Sequence, residues 1–278
     1  MKKIINDGKL TFGALDTCNG RLSHAAFVIP LSRHFLSRIN KRLHPARHKR
    51  QEITLSREEK EDLRIWLQFL LLAKKGISLN SIVHRYPSKL CISDSCPFGL
   101  GGFLWTGRAW RLFIPSRTAV YGNDIAKNAL EFLALAITIL LQLHEANNDS
   151  ECILAVGDNT SALGWLFRSS QLGPTSPYYT TVLFIARYIA SAILASPHCL
   201  FGQHIKGNNN VVADLLSFLF QLQDGDKRNP VAYDCPDNVK LTRRFHQYTP
   251  QLIPRNFHIT PLPSHILFFA TQALQTLE

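Results

Sequence analysis

A chain of 278 residues can hold one large domain or two small ones. Hydrophobic residues at 46% supply a sizeable core and exclude a disordered chain. A formal charge of +11 with a pI near 9.6 points to a polyanionic partner.

That charge is unevenly spread. Residues 1–88 hold 17 Lys and Arg against 7 Asp and Glu, residues 89–220 hold 8 against 8, and residues 221–278 hold 6 against 5. Residues 1–30 read as irregular, with a turn signal at Asn19-Gly20-Arg21 and a short apolar run, Ala25 to Ile29, ended by Pro30. From Leu31 the set Leu31, Phe35, Leu36 and Ile39 recurs at helical spacing, with Arg33, Arg38, Lys41 and Arg42 on other faces. Between Asp16 and Glu52 no acidic residue occurs, against eight Lys or Arg and four His. A one-signed run tied to an amphipathic helix suits nucleic-acid backbone, so Arg38, Lys41 and Arg42 are candidate phosphate contacts. His44 and His48 have helical metal spacing but lie among Arg42, Arg47, Lys49 and Arg50, where a cation is disfavoured.

Ser56 followed by Glu59 forms a capping box, and the helix it opens runs to about Lys75 with Leu63, Trp66, Leu67, Leu70 and Leu71 as its buried stripe. Ser78 to Pro87 is a connector. A tight α/β run follows, with strands over about 89–95, 100–106 and 109–114 and a long apolar helix over about 125–145. Next come a strand at 152–157 and a helix opening at Asn159-Thr160-Ser161. After a Gly/Pro/Ser loop, a helix covers 178–195, a strand 199–205 and a last helix 210–220. The order β-β-β-α-β-α-α-β-α gives a five-stranded mixed sheet with helices on its faces. From Gln221 onward six prolines break up regular structure before a short helix near 264–276.

The six cysteines show no metal-ligand spacing. They suit a reducing, intracellular compartment (cytoplasm or nucleus) without disulfides or structural zinc. The start, Met1 to Gly8, lacks an apolar h-region, so a secretory leader is not expected. The most apolar stretch, Ala129 to Leu143, contains Glu131 and is too short to span a bilayer, so no membrane partner is expected.

Four carboxylates sit in apolar settings: Asp94 inside a strand, Glu131 inside the long helix, Asp158 at a strand end and Asp214 early in the last helix. Taken singly, Asp158 reads as a helix N-cap, Asp94 as a partner of the glycine-rich turn and Asp214 as a surface residue. Glu131 is harder to place, because Leu130, Phe132, Leu133 and Leu135 flank it and an uncompensated buried charge costs several kcal/mol. On neighbouring elements the four can converge. Such an oxygen-rich set suits hard divalent cations and two-metal cleavage of a phosphodiester.

Residues 89–220 resemble a ribonuclease H domain of the kind carried in reverse-transcribing retroelements. The motifs are Ser93-Asp94-Ser95 with Gly99, Gly101 and Gly102 behind it, Asn128-Ala129-Leu130-Glu131, Asp158-Asn159-Thr160-Ser161-Ala162, and the run from Ile205 through Asn210 and Asp214 to Ser217. The resemblance implies a ribonuclease H-like α/β fold, an RNA–DNA hybrid substrate, and Asp94, Glu131, Asp158 and Asp214 as ligands of two Mg²⁺ ions, with Mn²⁺ as a substitute. It also implies that Asn128, Ser95 and Asn210 lie toward the hybrid, Asn210 bracing the last loop. Residues 21–75 are similar to the segment that joins polymerase and ribonuclease H in such polyproteins, of the tyrosine-recombinase-bearing kind, so the polymerase part is a candidate partner. The organisation expected is therefore a basic helical connection over 1–88, the ribonuclease H-like domain over 89–220 and a Pro-rich extension over 221–278. Cellular members carry a catalytically helpful histidine in the loop before the last helix. Here that loop is Gly207-Asn208-Asn209-Asn210, and His204 within the preceding strand is the candidate for proton transfer. No Tyr-x-Asp-Asp polymerase motif occurs in the chain. The alternative expectation is a catalytically silent module of the same fold that binds or tethers nucleic acid.

Overall fold

The computed structural model describes residues 1–29, 32–45, 48–77, 86–114, 124–146, 150–168, 175–218 and 257–277. The connector at 78–85, most of the loop at 169–177 and the Pro-rich stretch at 221–256 lie outside the described residues.

Residues 1–25 are not irregular. They form α1 (Lys2–Asp7), β1 (Lys9–Thr11) and α2 (Phe12–Ala25). Gly8 turns the chain at φ 65, and Thr11 caps α2 by accepting from the Ala14 amide at 3.2 Å. The Asn19-Gly20 turn signal lies inside α2, where burial of Phe12, Leu15 and Leu22 along one face outweighs it. After a 3-10 turn at Ser32–Leu36 come α3 (Ser37–Leu43), β2 (Glu52–Thr54), antiparallel to β1, and α4 (Arg57–Ala73). The capping box on α4 is formed: Glu59 donates its amide to Ser56 Oγ at 3.1 Å, and Ser56 donates its amide to Glu59 Oε2 at 2.8 Å.

The α/β part comprises β3 (Lys89–Cys96), β4 (Gly99–Leu104), β5 (Arg108–Phe113), α5 (Asp124–Glu145), β6 (Cys152–Gly157), α6 (Thr160–Arg168), α7 (Tyr179–Leu194), β7 (Cys199–His204) and α8 (Val211–Phe218). Beyond the expected five strands the sheet gains a sixth, β8 (His258–Ile259), ahead of the closing helix α9 (Ser264–Gln275). A two-residue strand has no periodicity to read in sequence. Arg108 on β5 holds the segment, donating from Nε to Thr260 Oγ1 at 2.6 Å and from Nη2 to the Pro261 carbonyl at 3.1 Å. The order is β7-β6-β3-β4-β5-β8, with β3–β4 and β4–β5 antiparallel and β3–β6, β6–β7 and β5–β8 parallel.

Each face of the sheet carries its own apolar cluster. On one face α5 lies across β3, β4 and β6, with α6, α7 and α9 against its outer side. That position explains why α5 is buried on nearly every side. The same cluster continues into Leu15, Phe35 and Trp66 of the N-terminal segment and Phe269 of α9. On the other face α8 places Val212, Ala213 and Leu216 against Leu90, Ile92, Phe103 and Val156. Among the described residues five cysteines are free thiols, and no helix is long and apolar enough to cross a membrane.

Candidate metal centre

The site grows out of strand register. β3 and β6 run parallel with a constant offset, Lys89 opposite Ile153 through Ile92 opposite Val156. Two residues further along each strand, the same offset brings Asp94 level with Asp158. Glu131, on the first turns of α5, reaches the same point from the face that packs on β3. Oxygens of Asp94, Glu131 and Asp158 all lie within 4.8 Å of one another. Asp94 and Glu131 are each only 5% exposed, and Asp158 is half-buried.

Two glycines let the helices come this close. A Cβ on Gly101 would lie 2.6 Å from Leu216 Cβ and 2.6 Å from the Ser217 nitrogen of α8. On the opposite face, a Cβ on Gly102 would lie 2.7 Å from Thr138 Oγ1 of α5. The glycine-rich turn noted in the sequence is thus a double docking point.

Asp94 is gripped from α8. Ser217 Oγ stands 2.9 Å from Asp94 Oδ2, while Asn210 Nδ2 donates to the Ser93 carbonyl at 3.1 Å and to Asp94 Oδ1 at 3.4 Å. Burial first, then repulsion from Asp158, pushes the Asp94 carboxyl up to about 7, against the pull of Ser217. Burial, then Asp94 and Asp158, raises Glu131 well above the usual carboxylate range, with Ser95 and Lys127 opposing. Ser95 Oγ is buried and close enough to Glu131 to favour its ionised form, yet it makes no hydrogen bond. Asn210 Oδ1 is likewise buried without a partner.

This donor set fits a hard divalent cation. The ligand atoms are carboxylate oxygens, their mutual repulsion is what a cation relieves, and the buried Asn210 Oδ1 beside them has no protein partner. Asp94, Glu131 and Asp158 can hold a metal ion. Asp214 stands outside this group, exposed on α8, near enough for Asp158 to raise it after burial has done so. Its exposure is consistent with a position at the rim.

The remaining candidates divide by partner. Asn128 Oδ1 accepts from Asn159 Nδ2 at 2.7 Å, and Asn159 Oδ1 accepts from the Ala162 amide at 2.9 Å, so Asn128 ties α5 to the start of α6. His204 ends β7 opposite Gly157, and its Nε2 lies 2.9 Å from the Asp158 carbonyl. Arg38 pairs with Asp62 at 2.8 Å and lies over the Tyr179 ring, and Arg42 pairs with Glu59 at 2.5 Å. Lys41, between them, is exposed. All three line an open depression of about 450 Å³ that also contains Glu58 and Glu59. The sequence places Asn159 at a helix start and Ser217 at the end of a motif, but it assigns neither the contact of Asn159 with Asn128 nor that of Ser217 with Asp94. Ser217 lies one helical turn beyond Asp214, a spacing that could have flagged it.

No family model and no curated protein sequence matches the chain. Among solved structures, the foamy viral protease-reverse transcriptase in complex with dsDNA aligns over 68% of this chain and 38% of that one. The identity is 11% and the TM-score 0.22. The chain thus spans less than half the length of that protein, and a likeness of this size does not establish a shared fold.

Proposed function

We propose that the protein is a metal-dependent endonuclease that hydrolyses the RNA strand of RNA–DNA hybrids, as the ribonuclease H part of a retroelement reverse transcriptase. The observation that carries this reading is the meeting of Asp94, Glu131 and Asp158 within 4.8 Å, contributed by two parallel strands and the central helix. Residues 89–220 are the nuclease unit in this reading, 1–88 the connection toward a polymerase partner and 221–278 an extension. Free thiols throughout the described residues suit the intracellular, reducing setting such an element would occupy.

Asp94, Glu131 and Asp158 would hold Mg²⁺, or Mn²⁺ in its place, and Asp214 would supply a fourth carboxylate to the two-ion site. When bound, the ions supply an activated water and stabilise charge on the leaving oxygen. Asn128, Ser95 and Asn210 surround the carboxylates and orient the hybrid, which is recognised by its shape, phosphates and 2′-hydroxyls rather than base edges. His204, steadied on the Asp158 carbonyl, moves a proton at Nδ1. Lys41 meets phosphate directly, whereas Arg38 and Arg42, each already paired with a carboxylate, contribute less.

The test is a cleavage assay on hybrid, duplex DNA and single-stranded RNA, with each strand labelled in turn. Mg²⁺-dependent cutting of the RNA strand of the hybrid, lost in Asp94→Asn and Asp158→Asn, is the expected result. Cutting that survives either variant or chelation of divalent ions contradicts the mechanism. Tight hybrid binding without cleavage in Mg²⁺ or Mn²⁺ would instead mark a silent binding module.

A further inference from the structure

Besides bearing Asp214, α8 reaches the buried carboxylates through a hydroxyl. Ser217 is fully buried, and its Oγ lies 2.9 Å from Asp94 Oδ2 and 2.9 Å from the carbonyl oxygen of Asp214. A serine hydroxyl has one proton, so it serves one of these acceptors at a time. In a buried site the charged acceptor wins, because charge-assisted hydrogen bonds are about twice as strong as neutral ones. The residue has little freedom to move away. The Cys96 thiol donates to its carbonyl at 3.1 Å, and its backbone nitrogen lies 2.6 Å from where a Cβ on Gly101 would be.

Each oxygen of Asp94 therefore receives a donor from the same short segment, Oδ1 from Asn210 and Oδ2 from Ser217. The Ser95 amide is a third donor, and a carboxylate offers about four lone-pair sites, so one remains for a cation. We infer that Ser217 is a positioning residue of the metal centre: with Asn210 it fixes the orientation of the Asp94 carboxylate and tethers the helix bearing Asp214 to that same group. This rests on the metal-binding reading above. Hydroxyl and amide partners of metal-bound carboxylates set ligand orientation, and their loss costs about 10–100-fold in metal affinity or activity.

Calorimetric titration of the full chain with Mg²⁺ alone, free of nucleic acid, tests the inference. Ser217→Ala should bind Mg²⁺ about 10–100-fold more weakly than wild type. Ser217→Thr, which keeps the hydroxyl, should recover most of that loss. Ser217→Cys fills the site but offers only a weak donor, so it should resemble Ser217→Ala, which shows that the effect follows the hydrogen bond rather than an emptied volume. The electron paramagnetic resonance spectrum of bound Mn²⁺ should change in Ser217→Ala and return in Ser217→Thr, which a residue with a merely structural role would not produce. Wild-type affinity in Ser217→Ala and Ser217→Cys, in a protein that binds Mg²⁺, overturns the inference and leaves the metal centre standing. A wild-type protein that binds no Mg²⁺ overturns the metal centre itself.

Discussion

Glu131 lies between Leu130 and Phe132 on a helix buried almost all round, and Asp94 continues a strand whose Leu90 and Ile92 face an apolar cluster. Carboxylates in such places are conspicuous in sequence because apolar neighbours cannot solvate them. That is why these two, with Asp158 at its strand end, are legible from the amino-acid sequence alone. Asp214 is marked only by its motif, and it is the member that the fold leaves exposed. Ser217 is visible only as the end of that motif, and its contact with Asp94 is not legible, since a buried serine on an apolar helix face has no signature beyond its spacing. The buried acids predict how stability follows pH. Asp94 titrates near 7 in the fold against an ordinary value of 3.8, so between those values the folded state holds a proton that the unfolded state releases. Metal-free stability should therefore fall as pH rises from about 4 to 7, and Asp94→Asn should lose its own share of that fall while Glu131 and Asp62, raised likewise, keep theirs. Thermal melts in chelator should show the variant overtaking wild type toward pH 8, by roughly 2–4 °C for each kcal/mol relieved, and Mg²⁺ should close the gap. His34, buried and lowered to about 4, acts in the opposite sense, but it is common to both proteins and cancels in the comparison.

At the scale of elements, the alternation of apolar strands and helices makes β3 to α8 readable nearly to the residue, because each buries a face with its own period. Elements too short to show a period are not readable. These are α1, β1 and β2 at the N-terminal end and β8 near the other, all held by tertiary contacts such as the grip of Arg108 on Thr260 and Pro261. The glycines give this scale its sharpest test. Gly101→Ala forces a methyl to within 2.6 Å of the α8 backbone and should cost about 1–3 kcal/mol in urea unfolding, with weaker metal binding because α8 carries Ser217. Gly20→Ala, inside α2 with nothing within 4 Å of the new carbon, should stabilise by up to about 1 kcal/mol. Equal effects at the two positions would contradict the docking role given to Gly101.

Across the whole molecule, the apolar cluster runs unbroken from Leu15 through α5 and α7 to Phe269, so the basic N-terminal helices and the closing helix are packed on the α/β part. Charge divides the sequence into three segments, and charge is silent about this shared core. It is equally silent about Arg38 and Arg42, which spend their charge internally. Arg38→Ala strands Asp62, which is 1% exposed and raised to about 7 mainly by burial. The variant should be destabilised by about 3–5 kcal/mol at pH 8 and by much less at pH 5, where Asp62 is neutral. Lys41→Ala should leave stability unchanged, weaken hybrid binding for every sequence alike and lower the salt slope of binding by about one unit. If the two variants affect binding equally and stability not at all, the internal pairing of Arg38 is wrong.

The proposed nuclease chemistry depends on carboxylates from β3, α5 and the end of β6 that can hold a metal ion. Anomalous diffraction from crystals grown with Mn²⁺ tests this most directly. A strong peak among Asp94, Glu131 and Asp158, absent in Asp94→Asn, is the predicted result. A protein saturated with Mn²⁺ whose peaks lie elsewhere, with these three carboxylates bare, would contradict it.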